Sequence, residues 1–414
     1  MISYLKKNNY DFDKVEFINE YNNEFNNEFN NKYKFNKYEK IIEELLGLVK
    51  KNIIKFPYNK FLIKNPEFLF ENLKYANLVV SQEQYKLYSY NPKYKSFLPA
   101  LFRGEPTSIV SDINYYEHID ILSDYFMEEI RLKTKRNNIL YSVDEAWHQE
   151  KFLKKIFRQL LQKNRITNRV LRDIITQNIA ENKLFNPTWA KALLKTVIGN
   201  NLKNKKWLDI SAGWGDRLLT AMALDMEYHG FDPNIDLLDG HCQMINMFGN
   251  KKKHIIYYKP FEKAILPNVK YDVIFTSPPY FNLEVYAPNQ KGQSIVDYPN
   301  FDDWMVQFMF ASLFKAWNHL KIGGFLILHL GDTKELHLAE PTNIFIQNFL
   351  PFASWEGIIG IKGMSGYNRP VWVWKKVNNA SSVIHWKSKF PLNLSNTYTK
   401  LYQLFLNYNR DIPL

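Results

Sequence analysis

The sequence predicts an α/β fold: a seven-strand, mostly parallel sheet with helices on both faces, preceded by a mainly helical N-terminal domain. Three observations carry this expectation. Up to about residue 184 apolar residues recur at helical spacing, as in Ile41, Ile42, Leu45, Leu46, Leu48 and Val49. From about residue 185 short β-rich runs alternate with helical segments long enough to cross between parallel strands. The 414 residues, 46% of them hydrophobic, supply enough apolar material for more than one core.

Taken in order, residues 8–40 are dominated by Asn, Lys, Glu, Tyr and Phe, with a quasi-repeat of Asn22-Asn23-Glu24-Phe25 and Asn26-Asn27-Glu28-Phe29. Phe25, Phe29 and Tyr33 share one narrow helical stripe, but asparagine side chains compete for backbone hydrogen bonds, so 1–40 reads as a low-complexity leader. Residues 41–184 read as a helical, basic domain. The Pro- and Tyr-rich interval 90–106 is expected to be irregular, because proline removes amide donors. The strands then follow as Trp207–Ile210, Tyr228–Phe231, Ile255–Tyr258, Tyr271–Thr276, Phe325–Leu330, Gly357–Ile361 and Val371–Lys375, with helices at Arg217–Met226, Ile235–Phe248, Trp304–Leu320 and Thr342–Phe349. The last two strands are close enough in sequence to include an antiparallel edge. This places the sheet domain at 185–377, and a tail at 378–414 whose Tyr398, Leu401, Tyr402, Leu404 and Phe405 suit a final docking helix.

The charge balance, 54 Lys+Arg against 42 Asp+Glu, leaves +12, which favours a polyanionic partner. The single cysteine, Cys242, excludes an intramolecular disulfide framework and reads as a buried small apolar residue. No Cys/His cluster has zinc-ligand spacing, so no metal site is expected. The first residues lack the apolar core of a signal peptide, and nowhere do about 18 apolar residues run consecutively. The expectation is a cytoplasmic protein, or one located wherever genomic nucleic acid resides, neither secreted nor membrane-spanning.

Two strand ends carry ligand-binding signals. The first expected strand runs through Asp209 into Ser211-Ala212-Gly213-Trp214-Gly215, where glycines allow a ligand to approach backbone N–H groups. Alone this is compatible with a tight turn. The second strand ends at Asp232, about 20 residues later, where a carboxylate can grip a ribose diol and also cap the helix that starts at Pro233. The fourth strand ends in Ser277-Pro278-Pro279-Tyr280. The two prolines fix φ, so neighbouring acceptors are held in place before a substrate arrives.

With these motifs in this order, residues 185–377 resemble the class I S-adenosylmethionine-dependent amino-methyltransferases, whose Asp/Asn/Ser-Pro-Pro-Tyr/Phe/Trp motif follows the fourth strand of a Rossmann-like sheet. The resemblance implies S-adenosyl-L-methionine as cofactor, with Asp209, Gly213, Gly215 and Asp232 at the cofactor positions; Ser211 and Phe261 are expected to join them, and Glu262, after the third strand, either accepts from the cofactor's adenine amine or is a helix-start carboxylate. It implies that Ser277 and the Pro278 carbonyl accept hydrogen bonds from a base amine, that Pro279 keeps the turn rigid and that Tyr280 stacks on the base. Serine at the first position is more typical of cytosine N4 than adenine N6 enzymes, which favours the cytosine amine and a DNA methylation role. RNA or messenger-cap adenosine, and an inactive nucleic-acid-binding module of the same fold, are the alternatives. A cysteine-nucleophile mechanism is not expected.

Weaker signals surround these. Phe185-Asn186-Pro187 and the helix Trp189–Val197 either cover the methionine end of the cofactor or simply pack. His329, in His329-Leu330-Gly331-Asp332 after the fifth strand, either lines the target pocket or bonds to backbone. The loop 363–370 carries Tyr367 and Arg369, a clamp for the substrate strand or a long hairpin turn. Residues 151–172 hold eight basic residues and no acidic one. Their apolar partners leave Lys151, Lys154, Lys155 and Arg158 on an outer face, expected to contact nucleic-acid phosphates, DNA before RNA. Arg369 is expected to add to this binding, and no protein partner is legible.

Overall fold

In the computed structural model the described residues are 31–80, 109–111, 119–136, 140–163, 166–332, 336–362, 368–385 and 398–409. Helices α1 (Asn31–Lys50), α2 (Pro66–Tyr75), α3 (Asp124–Lys133), α4 (Val143–Trp147), α5 (Glu150–Leu161), α6 (Asn168–Asn178) and α7 (Pro187–Ile198) precede the sheet. An alternation follows: β1 (Lys206–Asp209), α8 (Asp216–Ala223), β2 (Glu227–Phe231), α9 (Leu238–Phe248), β3 (His254–Tyr257), β4 (Tyr271–Thr276), α10 (Ala311–Asn318), β5 (Leu320–His329), α11 (Ala339–Phe349), β6 (Ala353–Lys362), β7 (Asn368–Lys376) and α12 (Thr399–Tyr408). The chain packs as two compact units, one of residues up to Lys64 with Met127–Lys183, the other of Asn65–Phe126 with Leu184 onward. The irregular interval 90–106, most of the leader and the loop at 363–367 lie outside the described residues.

In the first unit α5 and α6 bury Leu153, Ile156, Phe157, Leu160, Leu171 and Ile175 against Ile42, Leu45 and Leu46 of α1. Helix α6 starts where Thr167 accepts from the Val170 amide, a side-chain N-cap. Arg172, one of the eight basic residues, is no part of an outer face. It is 3% exposed and donates to Glu128 and Glu181, which also accepts from Arg131. Two guanidiniums hold the Glu181 carboxyl down at about 2 against the opposing effect of burial.

The second unit contains the seven-stranded sheet in the order β6-β7-β5-β4-β1-β2-β3. β1 to β5 pair in parallel, whereas β7 is antiparallel to both β5 and β6. The antiparallel strand therefore sits inside the sheet, between β5 and β6, rather than at its edge: the short β6–β7 connection reverses the chain, and β7 takes the place beside β5. Val371 to Trp374 are fully buried, as expected for strands covered on both faces. Indole N–H groups tie neighbouring strands together, from Trp207 to the Phe275 carbonyl and from Trp372 to the Leu330 carbonyl, and Trp374 ties the sheet to α11 through Asn343. Asn65–Phe126 joins this unit through ring stacking of Phe70 on Phe248 at 4.3 Å and through the buried Lys191, whose ammonium donates to the Leu73 and Lys74 carbonyls at the end of α2. Helix α12 docks through Leu401 and Phe405 on Phe310 and Phe345, but Leu404 is 37% exposed, because it falls off that stripe. Among the described residues no helix is long and apolar enough to cross a membrane, and no cluster of side chains could hold a metal ion.

Candidate active site at the carboxyl edge of the sheet

β1 lies between β2 and β4, and the chain leaves β1 in one direction and returns to β4 from the other, so the β1/β4 boundary is the topological switch point where ligands of open α/β sheets bind. Both motifs sit at that boundary. Asp209 ends β1 with its side chain turned into the interior. Its carboxylate is fully buried, accepting from Arg217 Nε at 2.6 Å, the Tyr228 hydroxyl at 2.7 Å and the Ser211 amide at 3.2 Å. Asp209, expected to bind cofactor, is engaged beneath the loop by Arg217, which returns from α8 to pair with it. Arg217 also donates to the Ser211 carbonyl and lies over the Phe185 ring.

The glycine loop needs its glycines at two positions. Gly213 has φ +58 and Gly215 φ +88, and a Cβ on Gly215 would stand 2.5 Å from the Met244 sulfur. Next to Gly213 a Cβ would meet only the Ser211 carbonyl, at 3.9 Å. Below, the Gly213 carbonyl takes a hydrogen bond at 2.9 Å from His241 Nε2. A carbonyl can only accept, so His241 is the Nε2–H tautomer and its Nδ1 accepts from the Tyr258 hydroxyl. Burial pushes this imidazole down to about 4, keeping it neutral. Above, Asp232 reaches back from the end of β2, accepting from the Gly213 amide at 2.9 Å and the Asn234 amide at 3.0 Å. Burial raises its carboxyl to about 6.

Ser211 joins the two motifs. Its hydroxyl is 2.8 Å from Thr276 Oγ1 and donates to the Ser277 carbonyl at 3.0 Å. Ser277 Oγ in turn lies 2.9 Å from His329 Nδ1, and the Tyr280 hydroxyl lies 3.4 Å from the same nitrogen. Pro278 is buried, while Ser277, Pro279 and Tyr280 are half-buried. Immediately after the motif Phe281 has φ +50, a left-handed conformation that costs a non-glycine residue about 1 kcal/mol or more. Its ring is held edge-on by Phe301 and Trp304, and a Leu283 amide to Tyr280 carbonyl bond closes the turn.

After β3, Phe261 is buried against Phe231, and the Glu262 carboxylate accepts from Tyr298 at 3.2 Å, with burial raising its pKa. The segment that follows Phe281 returns over these loops, with Tyr286 against Trp214, Gln290 bonded to the Ile235 amide and to Asp236, and Gly292 against Pro260. Phe185 lies at the ends of β4 and β5, with ring contacts to Phe275 at 5.5 Å and His329 at 5.1 Å. Asp332 caps α11 by accepting from the Leu338 and Ala339 amides.

The remaining expected site residues lie elsewhere. Lys154, Lys155 and Arg158 are on α5, in the first unit. Lys154 pairs with Glu43 and Glu150, and Arg158 forms a two-bond fork with Glu39, so acidic residues of α1 and of α5 itself offset much of the positive stripe. Arg369 lies near the start of β7, and its side chain is outside the described residues. Cys242 is exposed on α9 rather than buried, because the helix turns His241 and Met244 inward instead. Arg217, Tyr228 and His241 were not foreseen as site residues. Only their spacing from the glycine loop along α8, β2 and α9 hints at them, and spacing does not reveal which side chain turns back.

No protein-family model matches the chain, and no curated protein matches it. Solved structures similar to it include TrmN from Thermus thermophilus, at 16% identity over 47% of this chain and 49% of that one, with a TM-score of 0.34. Another is the O-methyltransferase from the trans-AT PKS multienzyme of Brevibacillus brevis in complex with S-adenosyl-L-homocysteine, at 11% identity over 55% and 84%, TM-score 0.34. A third is the 16S rRNA N2 G1207 methyltransferase of T. thermophilus in complex with AdoMet and guanosine, at 14% identity over 46% and 43%, TM-score 0.30. The chain spans less than half the length of the first and third of these.

Proposed function

We propose that the protein is an S-adenosylmethionine-dependent methyltransferase acting on an exocyclic amine of a nucleic-acid base, DNA before RNA and cytosine N4 before adenine N6. The observation that carries this reading is the Ser211 bridge at the switch point, which ties the glycine loop to Ser277 and so makes the two motifs one site. The cofactor fits the residues present: Gly213 leaves open space where a Cβ would stand, and Asp232 offers an acceptor fixed by two amides. Gly213, Gly215, Asp232 and the Phe261–Glu262 turn would hold it, with Asp209 stabilising the loop from below. When bound, S-adenosylmethionine supplies a methyl group activated by a sulfonium.

An exocyclic base amine is a weak nucleophile because its lone pair is delocalised into the ring. Ser277 Oγ and the Pro278 carbonyl accept from that amine and favour a pyramidal nitrogen whose lone pair is free to react. The prolines keep both acceptors in place, and the Tyr280 ring stacks on the base. Lys154, Lys155, Arg158 and Arg369 would contact phosphates.

The test is transfer of labelled methyl from S-adenosylmethionine to separate DNA, RNA and capped-RNA pools, with nucleoside mass spectrometry of the product. N4-methylcytosine in DNA is the expected result. N6-methyladenine moves the acceptor and keeps the site. Cofactor binding with no labelled pool overturns the enzymatic reading in favour of a binding module.

A further inference from the structure

We infer that His329 is a positioning residue for Ser277 and the acceptor of the proton that methylation releases, so that Ser277 and His329 form a hydroxyl–imidazole relay. This rests on the methyl-transfer reading above. Sheet register brings the pair together. β4 and β5 run in parallel with Thr276 opposite Leu328, so the next residues, Ser277 and His329, emerge side by side at the carboxyl edge. Ser277 Oγ and His329 Nδ1 are then 2.9 Å apart, a full hydrogen bond, with the Tyr280 hydroxyl converging on the same nitrogen at 3.4 Å. The imidazole is 5% exposed and held edge-on between Phe185 and Tyr280, at ring distances of 5.1 and 6.3 Å.

Two consequences follow from the chemistry. A hydroxyl partner fits either tautomer, and the relay assigns Nδ1 as the acceptor with Nε2 carrying the proton; the Ser277 O–H then points toward the ring, which leaves the Ser277 lone pairs directed away from His329 and available to amine N–H groups. Second, the amine nitrogen spends its lone pair on the new N–CH3 bond while the methyl–sulfur bond breaks and its electron pair remains on sulfur. The nitrogen then carries one proton too many. That proton passes to Ser277 Oγ as the Ser277 proton passes to His329 Nδ1, which restores the serine hydroxyl and leaves an imidazolium that discharges to solvent when product departs. Serine alone is far too weak a base for this step at neutral pH, whereas imidazole is matched to it.

The test compares His329→Ala and His329→Asn with the wild-type chain in single-turnover methylation, alongside S-adenosylmethionine and nucleic-acid binding. His329→Asn keeps a hydrogen-bond acceptor near the place of Nδ1 but cannot take up a proton, and it remains the deciding variant where alanine fails to fold. Both variants are expected to lose about 100-fold in rate, with both affinities unchanged. Added imidazole is expected to restore part of the rate to His329→Ala and to leave the wild type unaltered. An active wild type with His329→Asn at full rate overturns the proton role, and with both variants at full rate it overturns the relay; the methyl-transfer reading survives either result. A wild type that labels no nucleic-acid pool overturns that reading and the relay with it.

Discussion

At the scale of single residues, the site depends on side chains whose ionisation is set by burial. Asp232 is the clearest case. Its carboxyl is raised to about 6 by desolvation, and only the ionised form presents acceptors alone to a ribose diol. Protonation below that value replaces an acceptor with a donor, so affinity is present above it and lost as pH falls through it. Calorimetric titration with S-adenosylmethionine between pH 8 and pH 5 should show the dissociation constant rising below about pH 6 toward tenfold per unit, and Asp232→Asn should bind weakly with a flat profile. His241, neutral down to about 4, does not contribute to that transition. The positions of Asp232 and Ser277 at strand ends were legible from their motifs. Asp209 was legible as a position but not as a role, since nothing along the chain shows Arg217 folding back to occupy it.

At the scale of elements, each expected strand and crossover helix formed, while their ends shifted with tertiary context: the helix expected over Trp304–Leu320 is a π-helix over Trp304–Phe310 that continues into α10. β5 begins at Leu320 because the chain runs from α10 straight into pairing with Tyr271. Helix α12 shows what the inward residues of a stripe contribute, Leu404 apart. Phe405 packs at 4.7 Å from Phe345 and 5.7 Å from Phe349, so Phe405→Ala should destabilise the protein by about 3–5 kcal/mol in urea titration, with methyl transfer retained by the folded fraction. Helix α5 shows the opposite lesson. Its apolar face was legible, but the Glu39 and Glu43 partners of its outer cations lie more than 100 residues away. Those pairs lie at the surface, where an ion pair contributes little stability and leaves its cation able to turn to a phosphate. Charge reversal of Lys154, Lys155 and Arg158 should therefore weaken nucleic-acid binding and flatten its salt dependence by about one unit of slope for each phosphate no longer neutralised; unchanged affinity would remove α5 from the binding surface.

At the scale of the whole molecule, the cofactor should act as a structural ligand of the sheet unit. S-adenosylmethionine at about 100 times its dissociation constant should stabilise the native state by about 2.7 kcal/mol and raise the melting temperature, and Asp232→Ala should abolish that shift. The class of fold, the order of strands and helices along the chain, and the pair of motifs at the first and fourth strand ends were all legible in the amino-acid order. Each is written in local patterning: apolar periodicity, glycines where a Cβ is not tolerated and prolines that fix φ. Only folding in three dimensions settled that β7 inserts between β5 and β6, that Asn65–Phe126 packs with the sheet unit, that Arg217 pairs with Asp209, and that His329 stands 2.9 Å from Ser277. These depend on strand register and on contacts between residues far apart in the chain, and a burial pattern records which residues turn inward without recording which partners they meet.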